Sequence, residues 1–231
     1  MHPEQKEKLD KYRHLNTMAL KGKILFTGSS LMEQFPIHEI LMANDVHKII
    51  YNRGIGGFTT DDFLENMEEM VFGVEPSKIF INIGTNDIGS PQYRLERLID
   101  QYREILKRIK DRLPNTKVYI MAYYPVNDVD IIQNKEQAQV MFATRTNENI
   151  TVANEAIEKL ALQLDYEYIN VNQGLFNEQG KLKAEFTIDG IHMYADAYQV
   201  IFKNLEVYLS SKLRLAIDLQ GLKRLVLVEK R

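Results

Sequence analysis

Cysteine is absent from all 231 residues. That excludes a disulfide framework, a thiol nucleophile and a thiolate metal site. No uninterrupted apolar run reaches the ~18 residues of a membrane-spanning helix. The opening residues Met1-His2-Pro3-Glu4-Gln5-Lys6 are polar and lack the apolar stretch of a signal peptide. The expectation is therefore a soluble, cytoplasmic protein with no integral membrane association. A basic excess is missing as well: 29 Lys and Arg face 32 Asp and Glu, for a formal net charge of −3. Nothing in that balance calls for nucleic acid as a partner. A phosphate-binding G-x-G-x-x-G starting at Gly54 fails at Thr59, and no G-K-[ST] follows. Internal repeats, low-complexity stretches and interdomain linkers are also missing.

What remains is a chain 45% hydrophobic and 26% charged, suited to one domain with a sizeable core. Short apolar runs recur at Lys23–Thr27, Lys48–Tyr51, Lys78–Ile83, Lys117–Met121 and Tyr166–Val171. They are apolar on both faces rather than alternating, as expected for strands covered by helices on each side. Helical spacing lies between them. Leu9, Tyr12, Leu15 and Ala19 predict an amphipathic helix over Gln5–Leu20, and Thr60 is placed to cap a helix running to Met70. A longer pattern runs from Tyr93 to Leu113, where Pro114 stops it, and others cover Asn147–Leu164 and Ala195–Leu213. Such strand–helix alternation predicts right-handed βαβ units in one doubly wound parallel sheet. Pro125–Arg145 is too long for an ordinary connection. It is either a wall or lid over a site, or an early start of the following helix. Leu222–Val228 near the C-terminus fits a helix, an added strand or an oligomer arm equally well, so the oligomeric state stays open.

Four segments carry polar chemistry in order: Gly28-Ser29-Ser30-Leu31, Gly54-Ile55-Gly56-Gly57, Gly84-Thr85-Asn86-Asp87 and Asp189-Gly190-Ile191-His192. The first three follow predicted strands, on the edge where parallel α/β sheets place their sites. Ser30 is a candidate nucleophile or simply a helix cap, and residue 32, a Met, rules out the G-x-S-x-G elbow. His192 stands three residues after Asp189, so that the carboxylate can fold back onto Nδ1 and leave Nε2 as a base. The bland alternative is an Asp-Gly turn with a solvated histidine. Gly57 offers a backbone N–H and Asn86 an amide Nδ2 to a developing oxyanion. Equally, Gly57 would satisfy a turn with positive φ, and Asn86 an Asx turn or cap.

Taken together, these segments resemble the GDSL/SGNH hydrolase superfamily, in its platelet-activating-factor-acetylhydrolase-like, lysophospholipase-like branch. The resemblance runs from about Tyr12 to Ser211 and maps the superfamily's Ser, Gly, Asn and His onto Ser30, Gly57, Asn86 and His192, with Asp189 as the histidine's partner. It implies a flavodoxin-like three-layer α/β/α sandwich with a five-stranded parallel sheet. It also implies hydrolysis of a small-molecule ester or thioester with no metal and no cofactor. The implied mechanism is acyl transfer through Ser30, His192 and Asp189, with the oxyanion held by the N–H groups of Ser30 and Gly57 and by Asn86. One position departs from the pattern: the Asp that usually precedes the nucleophile is Ser29 here.

On this reading residues 1–231 form one domain: a helix over 4–20, a catalytic core over about 21–212, and a tail, 213–231, of unassigned role. Val140, Met141 and Phe142 are the candidates to line the substrate. A thioesterase, an acyltransferase or a carbohydrate O-deacetylase would use the same residues. A non-catalytic binding module would keep only the fold. A metallophosphoesterase would need a metal cluster beyond Asp189 and His192.

Overall fold

The strands β1 (Ile24–Gly28), β2 (Ile50–Gly54), β3 (Lys78–Asn82), β4 (Lys117–Met121) and β5 (Glu167–Ile169) build one sheet in the computed structural model, which describes residues 1–128 and 135–210. Their order is β2-β1-β3-β4-β5 and every pairing is parallel. This is the flavodoxin-like order, in which the winding reverses between β1 and β3. Register aligns the strand ends: Gly28 pairs with Gly54 on one side and with Asn82 on the other. The loops that leave β1, β2 and β3 therefore start side by side.

Side chains alternate between two apolar cores. Leu25, Ile79, Ile81, Val118 and Ile120 face one core, while Ile24, Phe26, Phe80, Tyr119 and Met121 face the other. Burial on both faces is why these runs are continuously apolar in sequence. The first core is roofed by helices α1 (Pro3–Asn16), α4 (Thr60–Glu65), α5 (Met67–Met70), α7 (Leu95–Arg112) and α9 (Asn147–Gln163), the second by α2 (Ser30–Glu33), α3 (Ile37–Ala43) and α10 (Ala195–Leu209). Short α6 (Thr85–Ile88) follows β3, and α8 (Lys135–Phe142) precedes α9. In the second core Phe26, Phe80 and Tyr119 form a cross-strand aromatic row with ring centroids 5.1 and 4.8 Å apart.

Several boundaries differ from the sequence expectation. The first helix ends at Asn16 rather than Leu20, and Leu15 is exposed. Thr59, not Thr60, is the cap of α4: its Oγ1 accepts from Asp62 N–H, and the Asp62 carboxylate accepts from Thr59 N–H in return. The helix expected to reach Met70 breaks at Asn66, and β2 begins two residues later than Lys48 and runs on to Gly54. Pro125–Arg145 is no early start of α9: α8 is a separate helix, and Thr146 caps α9 through its Oγ1. The tail 213–231, with Leu222–Val228, lies outside the described residues, as do Val129, Ile131 and Ile132. Among the described residues, no helix is long and apolar enough to cross a membrane.

Candidate active site

Ser30 is the first residue of α2, with Ser29 in the cap position. This corrects the reading of Ser30 as the cap. A residue in the first helical turn has no intrahelical acceptor for its N–H, and the Ser30 N–H meets no other protein acceptor among the described residues. Ser29 is buried and its hydroxyl finds no partner among the described residues. The position where relatives of the resemblance carry an Asp thus holds an orphaned hydroxyl.

Asp189 and His192 are shaped by a tight loop. Thr187 pairs with Met193, and Thr187 Oγ1 accepts from Gly190 N–H and donates to the His192 carbonyl. Gly190 takes φ +93°, and a Cβ there would collide with the carbonyl of Asn127. Within the loop, Asp189 Oδ1 accepts from the backbone N–H of Ile191 (2.9 Å) and of His192 (2.8 Å). Its Oδ2 lies 2.6 Å from His192 Nδ1. An ionised carboxylate only accepts, so Nδ1 carries the proton and Nε2 is the free base. Nε2 lies 2.9 Å from Ser30 Oγ, positioned to receive the hydroxyl proton. Burial alone would raise the Asp189 pKa. The hydrogen bonds from the His192 ring and from the backbone of His192 and Ile191 outweigh burial and hold it at about 2.

Gly57 stands three residues past the end of β2 with φ +77°, a conformation that side-chain-bearing residues rarely adopt. Its N–H donates to no protein acceptor among the described residues. Asn86 sits in α6, whose cap is Gly84, so Asn86 is not the cap that a simple local reading expects. Its amide instead crosses to the neighbouring loop: Nδ2 donates to the Phe58 carbonyl at 2.9 Å, and Oδ1 accepts from Arg145 Nη2 at 3.3 Å. Because a guanidinium only donates and a carbonyl only accepts, the two contacts fix which edge of the amide is which. Nδ2 has a second hydrogen to offer. The next residue, Asp87, accepts from the N–H and hydroxyl of Thr60, a second stitch between the loops after β2 and β3. Burial pushes the Asp87 carboxyl above its ordinary value, and the Thr60 bonds only partly offset this.

The structure separates the three substrate-lining candidates. Val140 is 74% exposed, Met141 is half-buried against the first core, and Phe142 is buried within that core. The Phe142 ring packs against Gly190, between Asp189 and Ile191. Arg145, which no sequence signal marked, also donates to the Thr85 and Met141 carbonyls. It joins α8 to α6, which carries Asn86. Among the described residues no group of three His, Cys, Asp or Glu is placed to hold a metal ion.

Comparison with known proteins places this chain in a family. Residues 37–200 match the model of the GDSL-like Lipase/Acylhydrolase family. The match begins after Ser30, so the serine's case rests on its geometry. A Streptococcus pneumoniae protein, described as a candidate platelet activating factor, is 34% identical over 89% of this chain and 92% of its own, with a TM-score of 0.78. An acetyl-xylooligosaccharide esterase variant from Geobacillus stearothermophilus shares the fold at a TM-score of 0.61 and 17% identity, covering 84% of this chain and 98% of its own. The N-acylneuraminate cytidylyltransferase of Escherichia coli O18:K1:H7 is 22% identical over 86% of this chain, which spans only 45% of that relative's length. The chain belongs to the GDSL-like lipase/acylhydrolase family.

Proposed function

We propose that the protein is a serine esterase that removes a short acyl or acetyl group through an acyl-enzyme. The observation that carries this reading is the contact between His192 Nε2 and Ser30 Oγ at 2.9 Å, made by a ring whose Nδ1 is committed to Asp189. Nε2 accepts the hydroxyl proton as Oγ attacks the ester carbonyl carbon. The Ser30 and Gly57 N–H groups and the spare Nδ2–H of Asn86 stabilise the negative oxygen of the tetrahedral intermediate. The protonated Nε2 then gives its proton to the departing alkoxide. Water repeats the cycle: it loses a proton to Nε2, attacks the acyl-enzyme, and Ser30 leaves with the proton returned. Asp189 keeps its charge throughout, as its low pKa requires, and steadies the imidazolium.

The acetyl preference draws on the named activity of the Geobacillus stearothermophilus neighbour and on nothing finer in this chain. A panel of p-nitrophenyl acyl esters, acyl thioesters and acetylated sugars, run beside Ser30→Ala, tests it. Hydrolysis of short esters by the wild type, with a loss of about three or more decades in kcat in the variant, is expected. Equal rates in the two proteins would overturn the assignment, and a preference for thioesters would move the substrate class.

A further inference from the structure

We propose that α1 belongs to the catalytic apparatus, with Gln5 as a positioning residue that aims the Gly57 N–H. The proposal rests on Gly57 being an oxyanion donor, and adds what holds it in place. Gly56 and Gly57 are the least constrained residues a chain can place beside a reacting centre. An oxyanion donor is effective only if its direction is fixed before charge develops. The loop must therefore be tethered from outside.

The tethers come from α1. Gln5 Nε2 donates to the Gly56 carbonyl at 2.8 Å, and Gln5 Oε1 accepts from the His2 backbone N–H at 2.8 Å, which orients the amide. The Gly56 carbonyl and the Gly57 N–H belong to one planar trans peptide and point in opposite directions. Holding the oxygen toward α1 turns the N–H away from it. The preceding peptide is held as well: Gly56 N–H donates to the Glu33 carboxylate, which is paired with Lys8. Tyr12 donates its hydroxyl to the Gly54 carbonyl at 2.6 Å. Residues 5, 8 and 12 follow one another by three and four positions and so share one helix face. Ser30 is adjacent, its Cβ 3.6 Å from where a Gly56 Cβ would stand. Gln5 and Tyr12 thus hold the backbone from the end of β2 into the loop beside Ser30, and Lys8 holds the Glu33 carboxylate that binds the same loop.

Gln5→Ala and Gln5→Glu test this, the second keeping the shape of the side chain while losing the donor. Lys11→Ala serves as the control: Lys11 is exposed on α1 and, among the described residues, pairs with exposed Glu7. Three quantities are read for p-nitrophenyl acetate: kcat per titrated active site, KM, and inhibition by an aryl trifluoromethyl ketone, whose hemiketal oxygen mimics the oxyanion. Both Gln5 variants are expected to lose about tenfold in kcat, less than removal of a whole donor, with KM unchanged. Ketone affinity should fall in step, and the control should match wild type. Variants whose kcat and ketone affinity stay within about twofold of wild type overturn the proposal. So does a lowered Tm with kcat per site intact, which would mark a purely structural contact. Failure of the underlying reading shows up separately, as Ser30→Ala that still turns over or wild type insensitive to the ketone.

Discussion

Arg145 donates to the Oδ1 of Asn86 at 3.3 Å, from a position 59 residues further along the chain. With the Phe58 carbonyl on the other edge, the amide has one orientation rather than two. Asn86→Ala is expected to lower kcat by about 10²–10³ with little change in KM, since the bond strengthens as charge develops. Arg145→Met should cost less, about tenfold, because the donor stays but is free to turn. In the double variant the Arg145 change should add little, as the two act through one amide. Multiplicative losses would show that Arg145 acts on its own.

Ser29 and Ser30 are neighbours with opposite expected sensitivities. Ser29→Ala removes a buried hydroxyl that has no partner among the described residues. It should leave kcat unchanged and Tm equal or raised, because an orphaned polar group costs stability when buried. Ser30→Ala should retain the fold and lose turnover. A kcat that falls with Ser29 instead would exchange the two roles.

Asp189 predicts both an activity and a pH effect. Asparagine at 189 would donate to His192 Nδ1 and so move the ring proton to Nε2, the wrong tautomer for accepting from Ser30. Asp189→Asn should therefore reduce kcat, though by less than His192→Ala. His192→Ala should match Ser30→Ala, and the double variant be little worse than either. For stability, the native carboxyl titrates at about 2, below the ordinary value of about 3.9. Its contribution is present above about pH 4 and lost as pH falls toward 2. The Tm gap between wild type and Asp189→Asn should shrink over that window. A gap constant from pH 5 to pH 2 would contradict it.

Val140, Met141 and Phe142 divide between surface and core. Phe142→Ala should cost about 3 kcal/mol of stability and disturb turnover, because its ring supports the loop at Gly190. Val140→Ala should leave Tm unchanged. If α8 also walls the substrate, Met141→Ala will alter the ratio of short-chain to longer-chain ester turnover. An unchanged ratio in a folded variant would confine the segment to packing.

The sheet was legible because burial on both faces leaves an unmistakable mark: Lys78–Ile83 can hardly be read as anything but an interior strand. The Asp189–His192 spacing was legible for a similar reason, since the contact is local. Polar contacts between distant segments left no periodic signal. Reading α1 by its apolar residues picks Leu15, which is exposed, and passes over Gln5, which reaches the loop after β2, and Lys8, which pairs with the Glu33 carboxylate bound to that loop. Arg145 was invisible because its partners Asn86 and the Thr85 carbonyl lie in α6, about 60 residues earlier in the chain. The break at Asn66 carries no Gly or Pro, and the one-residue offset between Ser29 and Ser30 at the cap depends on backbone geometry alone.

The central claim is that Ser30 is the nucleophile, activated by His192. A fluorophosphonate probe followed by fragment-ion mass spectrometry tests it most directly. The peptide from Ile24 to Lys48 contains both Ser29 and Ser30, so the fragments must separate them. One adduct per chain, on Ser30, absent in Ser30→Ala and strongly slowed in His192→Ala, is the predicted result. An adduct on Ser29 or elsewhere, or undiminished labelling of His192→Ala, would contradict it.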